Sequence, residues 1–211
     1  MAEKMLVTVA LNELKTLDSR INKAINQAAF VEASKISEKN AKVGKTKVDF
    51  SQEAKAALDS INDLIARREK IKAAVIASNA VTEVEIAGQK MTVAKAIDTK
   101  ESIGYKSLLL EVLKDQFYSA RMKVNKQNEI MNDKIDKLIE TAYGKEGKDK
   151  ISEADYDAIA TPYKKANEFD LVDPIGAEAK IKELDEYIEK FNSTVDSVLQ
   201  ISNCVTYIEI E

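Results

Sequence analysis

Leu11, Leu14, Leu17, Ile21 and Ile25 recur at intervals of three and four between Val9 and Phe30, which places them on one stripe and predicts an amphipathic helix. The period dissolves from Val31 to Phe50, where Val43-Gly-Lys-Thr-Lys-Val48-Asp-Phe50 alternates weakly around Gly44. That stretch is read as a connection or a short strand. A helical period returns with Leu58, Ile61, Leu64, Ile65, Ile71 and Val75, and Ser51 stands where an N-cap belongs. The helix is predicted to close at Ser78-Asn79, with Asn79 as a left-handed C′ residue. The alternating, β-branched Val81-Thr-Glu-Val84-Glu-Ile86 that follows, before Gly88, predicts a strand.

Thr92 opens another helical stretch through Val93, Ala96 and Ile97, with Gly104 as a candidate kink. From Glu101 to Tyr143 the chain carries no proline and only that glycine, so one helix there would run about 65 Å at about 1.5 Å per residue. Leu110, Leu113, Phe117, Ala120, Val124, Gln127, Met131, Ile135, Leu138 and Ala142 follow spacings of three and four along it. Such a narrow seam is that of a coiled coil and requires a partner helix. Gly144 and Gly147 are predicted to end the run; a shorter helix covers Ser152 to Ala166, and Asn167 to Gly176, with Pro174, forms a loop. A last helix starts near Ala177 and uses Ile181, Leu184, Ile188, Phe191, Val195, Val198 and Leu199.

The end of the chain echoes its first helix-to-strand corner. Ser202-Asn-Cys-Val-Thr-Tyr-Ile-Glu-Ile210 matches Ser78-Asn-Ala-Val-Thr-Glu-Val-Glu-Ile86 at most positions, and the helix before each corner shares Leu64/Ile188, Ile71/Val195, Ala74/Val198 and Val75/Leu199. Glu53-Ala-Lys55 is mirrored by Glu178-Ala-Lys180 after a small shift. Two units of one design each expose half an apolar face, and packing the helices together while pairing the strands covers both. The expected fold is therefore mainly α, an antiparallel helical bundle or coiled coil with a long helical arm. A small two-stranded β element would come from the repeated corners. Residues 1–100 and 175–211 would form the helical core with the paired strands, and 101–174 the arm.

The N-terminal Leu/Arg/Ile helix, the Asn-x-Val-Thr corner, Gly88-Gln-Lys-Met-Thr92-Val-Ala-Lys-Ala-Ile97 and the closing Asn203-x-Val-Thr206 corner resemble the septicolysin-like helical family of bacteria and their phages. The match spans most of residues 5 to 110 and 175 to 210, and residues 114 to 174 look like an enlarged insertion. The resemblance implies a helical, oligomeric protein with no established catalytic residues to carry over. It also implies a bacterial or phage-infected cell.

Composition shortens the menu of chemistry. The 211 residues hold no histidine and one cysteine, Cys204, which removes Ser-His and Cys-His catalysis, His-containing metal sites and an intrachain disulfide. The N-terminus lacks the apolar run of a secretory signal, and no stretch approaches the roughly 18 apolar residues of a membrane helix. A cytoplasmic chain without a membrane partner is expected. Acids outnumber bases, 36 to 32, which argues against a large nucleic-acid surface. The carboxylates Glu129, Asp133, Asp136 and Glu140 share a helical face but lack the Glu-x-x-His of a di-iron bundle. Asp170 to Asp173 lacks the ligand pattern of a calcium loop, and no glycine-rich phosphate loop precedes a helix. Neither metal nor cofactor is expected.

What remains is binding. Arg67 and Arg68, with Tyr105, Lys106 and Arg121, are read first as ordinary surface charge and, in the alternative, as the cationic and aromatic groups that would frame an anion pocket. The duplicated polar residues Asn79, Thr82, Asn203 and Thr206 either cap helices or line such a pocket. The leading expectation is a non-catalytic, homo-oligomeric binding or assembly protein whose arms pair through Leu110, Leu113, Phe117, Val124, Met131, Ile135 and Leu138. The alternative, from another class, is a protein that sequesters a small anionic ligand, such as a nucleotide immune signal, between helices or subunits.

Overall fold

A computed structural model describes residues 3–144 and 151–210. Gly147, one of the two glycines expected to end the long helix, lies outside them. The described residues form β1 (Glu3–Leu6), α1 (Val7–Gln27), β2 (Asn40–Lys42), β3 (Lys45–Thr46), α2 (Lys47–Val81), β4 (Glu83–Ile86), β5 (Gln89–Thr92), α3 (Val93–Tyr143), α4 (Glu153–Asn167), α5 (Ala177–Val205) and β6 (Tyr207–Ile210). The protein is mainly α, and its strands make three small antiparallel pairs, β1 with β6, β2 with β3 and β4 with β5. The helix α3 runs without interruption through Gly104 to Tyr143.

Local chemistry sets several boundaries away from the expected ones. The helix α2 starts at Lys47, because the β2–β3 hairpin ends at Thr46, whose Oγ1 accepts the Asp49 N–H at 3.2 Å. Ser51 therefore sits inside the helix and caps nothing. Asn79 is also helical, and the left-handed residues described are Gly44, Ala87, Gly88, Gly144 and Gly176. The corner is made instead by an extended Thr82, whose N–H still bonds the Ser78 carbonyl at 2.9 Å. The second corner repeats this, with the Thr206 N–H on the Ser202 carbonyl at 3.0 Å.

The two corner strands do not pair with each other, which corrects the expected β element. Ala87 and Gly88, at φ 51° and 75°, form the two-residue turn with both central residues left-handed that folds a strand straight back. β4 thus takes its nearest neighbour β5, with Val84 opposite Met91, and a short loop closes at lower entropic cost than a distant pairing. β6 pairs with β1 in the equivalent register, Ile208 opposite Met5.

The chain divides into two compact units, Met1–Glu101 with Lys190–Glu211, and Ser102–Glu189. In the first, α1 packs on α2 and β6 on α2. Their core is Met5, Val7, Ala10, Leu14 and Leu17 closed by Ile71, Val75, Ile208 and Ile210. In the second, Leu110 and Phe117 of α3 pack with Ala177 and Ile181 of α5, backed by Leu113, Leu171, Leu184 and Ile188. Farther along α3, Met131, Ile135 and Ile139 pack with Ala160 of α4, supported by Tyr156, Ile159 and Tyr163. This unit reaches Glu189 rather than ending at 174, because the first turns of α5 supply the cover for α3.

That cover overturns the assignment of the seam to another chain. Leu110, Leu113 and Phe117 are closed by α5, and Met131 and Ile135 by α4. Val124 is half-buried. Leu138, at 43% exposure, points away from the stripe, and Ile139 takes the buried position instead.

Candidate functional site

Three of the cations singled out in the sequence, Arg67, Arg68 and Arg121, are answered by the chain's own carboxylates. From α2, Arg67 reaches back to the first segment: Nη1 donates to Glu3 Oε2 at 2.6 Å and Nε to Glu13 Oε1 at 2.9 Å. The next residue, Arg68, pairs with Asp18 of α1. The hydrogen bond from Arg67 holds the Glu3 carboxyl below its ordinary range, against the upward push of desolvation and with the help of the guanidinium charge. The same bonds, from Glu3 and Glu13, raise the pKa of Arg67, and that from Asp18 raises the pKa of Arg68. These guanidiniums tie α1 and β1 to α2.

Nor do they stand at the corner. Twelve residues of α2 separate Arg67 from Asn79, about 18 Å of helix. Asn79, Thr82, Asn203 and Thr206 are half-buried. Thr82 Oγ1 lies 3.4 Å from Ser78 Oγ. The carbonyl of Thr82 accepts the Val93 N–H at 2.8 Å, and that of Thr206 accepts the Val7 N–H at 2.9 Å. The capping reading of the two threonines thus has its partners in place.

In the second unit, Lys106 Nζ stands 3.8 Å from the Tyr187 ring centroid, a cation–π contact. Tyr105, about 100° around the helix from it, faces solvent. Arg121 lines a groove of 1010 Å³ between α3 and α5 with Lys114, Phe117, Tyr118, Glu178 and Asp185. Its guanidinium lies 5.9 Å from the Phe117 centroid and 3.7 Å from Glu178, and Lys114 bonds Asp185 at 2.9 Å. The Asp173 carboxylate, also on the groove, accepts the N–H groups of Ile175 and Ala177 at 3.2 and 2.7 Å and so caps α5. Lys114 and Arg121 each meet a carboxylate, and with Lys182 the groove's lining holds three cations against the carboxylates of Asp173, Glu178 and Asp185, which leaves it charge-balanced rather than cationic. Among the described residues no three His, Cys, Asp or Glu side chains gather as a metal site.

The feature passed over in the sequence is a second stripe on α3. Tyr105, Leu108, Leu109 and Val112 are spaced i, i+3, i+4, i+7 and are 80%, 59%, 50% and 41% exposed. They centre about 120° around the helix from Leu110, Leu113 and Phe117, which α5 covers. The signal was present as three consecutive leucines, Leu108 to Leu110, since such a run must put apolar side chains on more than one face. Among the described residues no helix is both long and apolar enough to cross a membrane.

These features define a mainly α protein with charge-paired helix faces and an uncovered apolar stripe on α3. No family model matches the chain, and no curated protein or solved structure matches it either.

Proposed function

We propose that the chain is a non-catalytic helical binding or assembly protein that associates with copies of itself through the outward face of α3. The observation that carries this reading is the stripe Tyr105, Leu108, Leu109 and Val112, four large apolar side chains in helical register and in water. Isolated exposed apolar residues are ordinary, whereas a contiguous set on one helix face marks an interaction surface. Burying such a side chain is worth about 1.5–3 kcal/mol, so a helix pair built on this stripe gains enough to offset part of the entropy of association. The engaged state of Arg67, Arg68 and Arg121 gives no matching support to an anionic ligand.

Sedimentation equilibrium tests it. The native chain is expected to sediment above its monomer mass of 23.4 kDa, and Leu108→Glu with Leu109→Glu is expected to return it to the monomer with unchanged helical circular dichroism. A native chain that stays monomeric at tens of micromolar would remove the proposal.

A further inference from the structure

The first unit contains one module twice, and only one copy is continuous. In the continuous copy α2 leads through Thr82 into β4, turns at Ala87-Gly88, and returns as β5 into α3. In the other, α5 leads through Thr206 into β6, and the returning strand is β1, which opens into α1 from the opposite end of the sequence. The equivalence is detailed. Lys4-Met-Leu-Val-Thr-Val-Ala-Leu11 matches Lys90-Met-Thr-Val-Ala-Lys-Ala-Ile97 at Lys, Met, Val and Ala, with Leu11/Ile97 a close exchange. Val7 and Val93 are both buried, as are Ala10 and Ala96, and the two threonine carbonyls bond the two valine N–H groups alike.

Residues 3–27 are thus bound to the unit by non-covalent contacts and by a single tether. The contacts are the shared core with Ile71, Val75, Ile208 and Ile210, the β1–β6 ladder, and the ion pairs of Arg67 and Arg68. The tether is 28–39, which has no helix or strand and is exposed throughout 29–39. Its far end is fastened, since Lys47 Nζ donates to the carbonyls of Lys35 at 2.7 Å and Ile36 at 3.3 Å. The pivot is therefore residues 28–34, which span roughly 20 Å when extended.

We infer that this segment is exchangeable: β1 and α1 of one copy seat on α2 and β6 of a second, and each chain completes the other's first unit. The occupant of that surface is known because the same segment covers it within one chain. Every core contact, ladder bond and ion pair reforms unchanged between chains, so only the pivot differs between the closed and exchanged states. The inference rests on the reading that the chain assembles with its own kind, and it places a second junction in the first unit, independent of the α3 stripe.

Thr8 and Cys204 supply the probe, because Thr8 Oγ1 lies 3.5 Å from Cys204 Sγ. Thr8→Cys is introduced into the Leu108→Glu, Leu109→Glu chain, which silences the stripe. The protein is refolded from denaturant under reducing conditions at low and high concentration, then oxidised, and the link is located by peptide mapping. The expected result is an 8–204 disulfide within one chain at low concentration and between two chains at high concentration, doubling the mass on a non-reducing gel. An 8–204 link confined to monomers at every concentration overturns the exchange and leaves the stripe reading to its own sedimentation test. Absence of an 8–204 link altogether overturns the clasp in both forms.

Discussion

Arg67 holds two carboxylates from one guanidinium, with its side chain 30% exposed, and its planar fork suits that double contact better than a lysine would. Arg67→Ala is expected to cost about 1 kcal/mol, the upper end for a surface ion pair, read as a lowered urea midpoint. The pH dependence has a definite sign. Because the folded Glu3 carboxyl titrates below its ordinary range, its contribution is fully present above the unfolded pKa and is lost as the pH falls through the lower folded value. The native midpoint should therefore fall more steeply on acidification than that of Glu3→Gln, and parallel curves would show that the bond to Arg67 contributes nothing. Core positions should respond on a larger scale. Ile71 is fully buried between α1 and β6, and Ile71→Ala is expected to cost about 2–5 kcal/mol by leaving a cavity.

Caps and turns decide where the elements begin, and here local chemistry can be read two ways. Ser51 and Thr46 are both competent N-caps; what separates them is that β3 ends at Thr46, a fact of hairpin pairing that side-chain spacing does not record. Thr46→Ala should cost about 1 kcal/mol, whereas Ser51→Ala, inside the helix, should be neutral or slightly stabilising; comparable losses for both in thermal unfolding would contradict the observed start of α2. The Ala87-Gly88 turn offers a matched pair. Gly88→Ala is expected to destabilise by about 1–2 kcal/mol, the cost of a Cβ in the left-handed region, and Ala87→Gly to relieve a similar penalty in part. The helical periods of α1, α2, α3 and α5 were legible because each buries one stripe. The cover of α3 was not, since the same 110–117 spacing fits α5 of its own chain as well as a helix of another.

At the scale of the whole chain, the duplicated corners were visible in the sequence but their pairing was not. Similar strands suggest one another as partners, yet each corner strand already had a returning strand of its own, β5 beside β4 and β1 beside β6. The match of Lys4 to Leu11 with Lys90 to Ile97 carried that information, and it goes unnoticed unless the repeat is continued past the end of the chain into its beginning. If the first unit is truly one module used twice, the missing turn can be supplied and the tether dispensed with. Ile210 lies opposite Glu3 as Ile86 lies opposite Gln89, so a two-residue Asn-Gly turn, with both residues in the left-handed region, should join them as a hairpin. The chain would then be opened between the exposed Val31 and Glu32. This relinked protein is expected to keep the native helical circular dichroism. With Thr8→Cys it should form its 8–204 link only within one chain at any concentration, because the tight turn now holds β1 to its own β6. Loss of the helical signal on relinking would show that the two halves are alike in sequence without being equivalent in architecture.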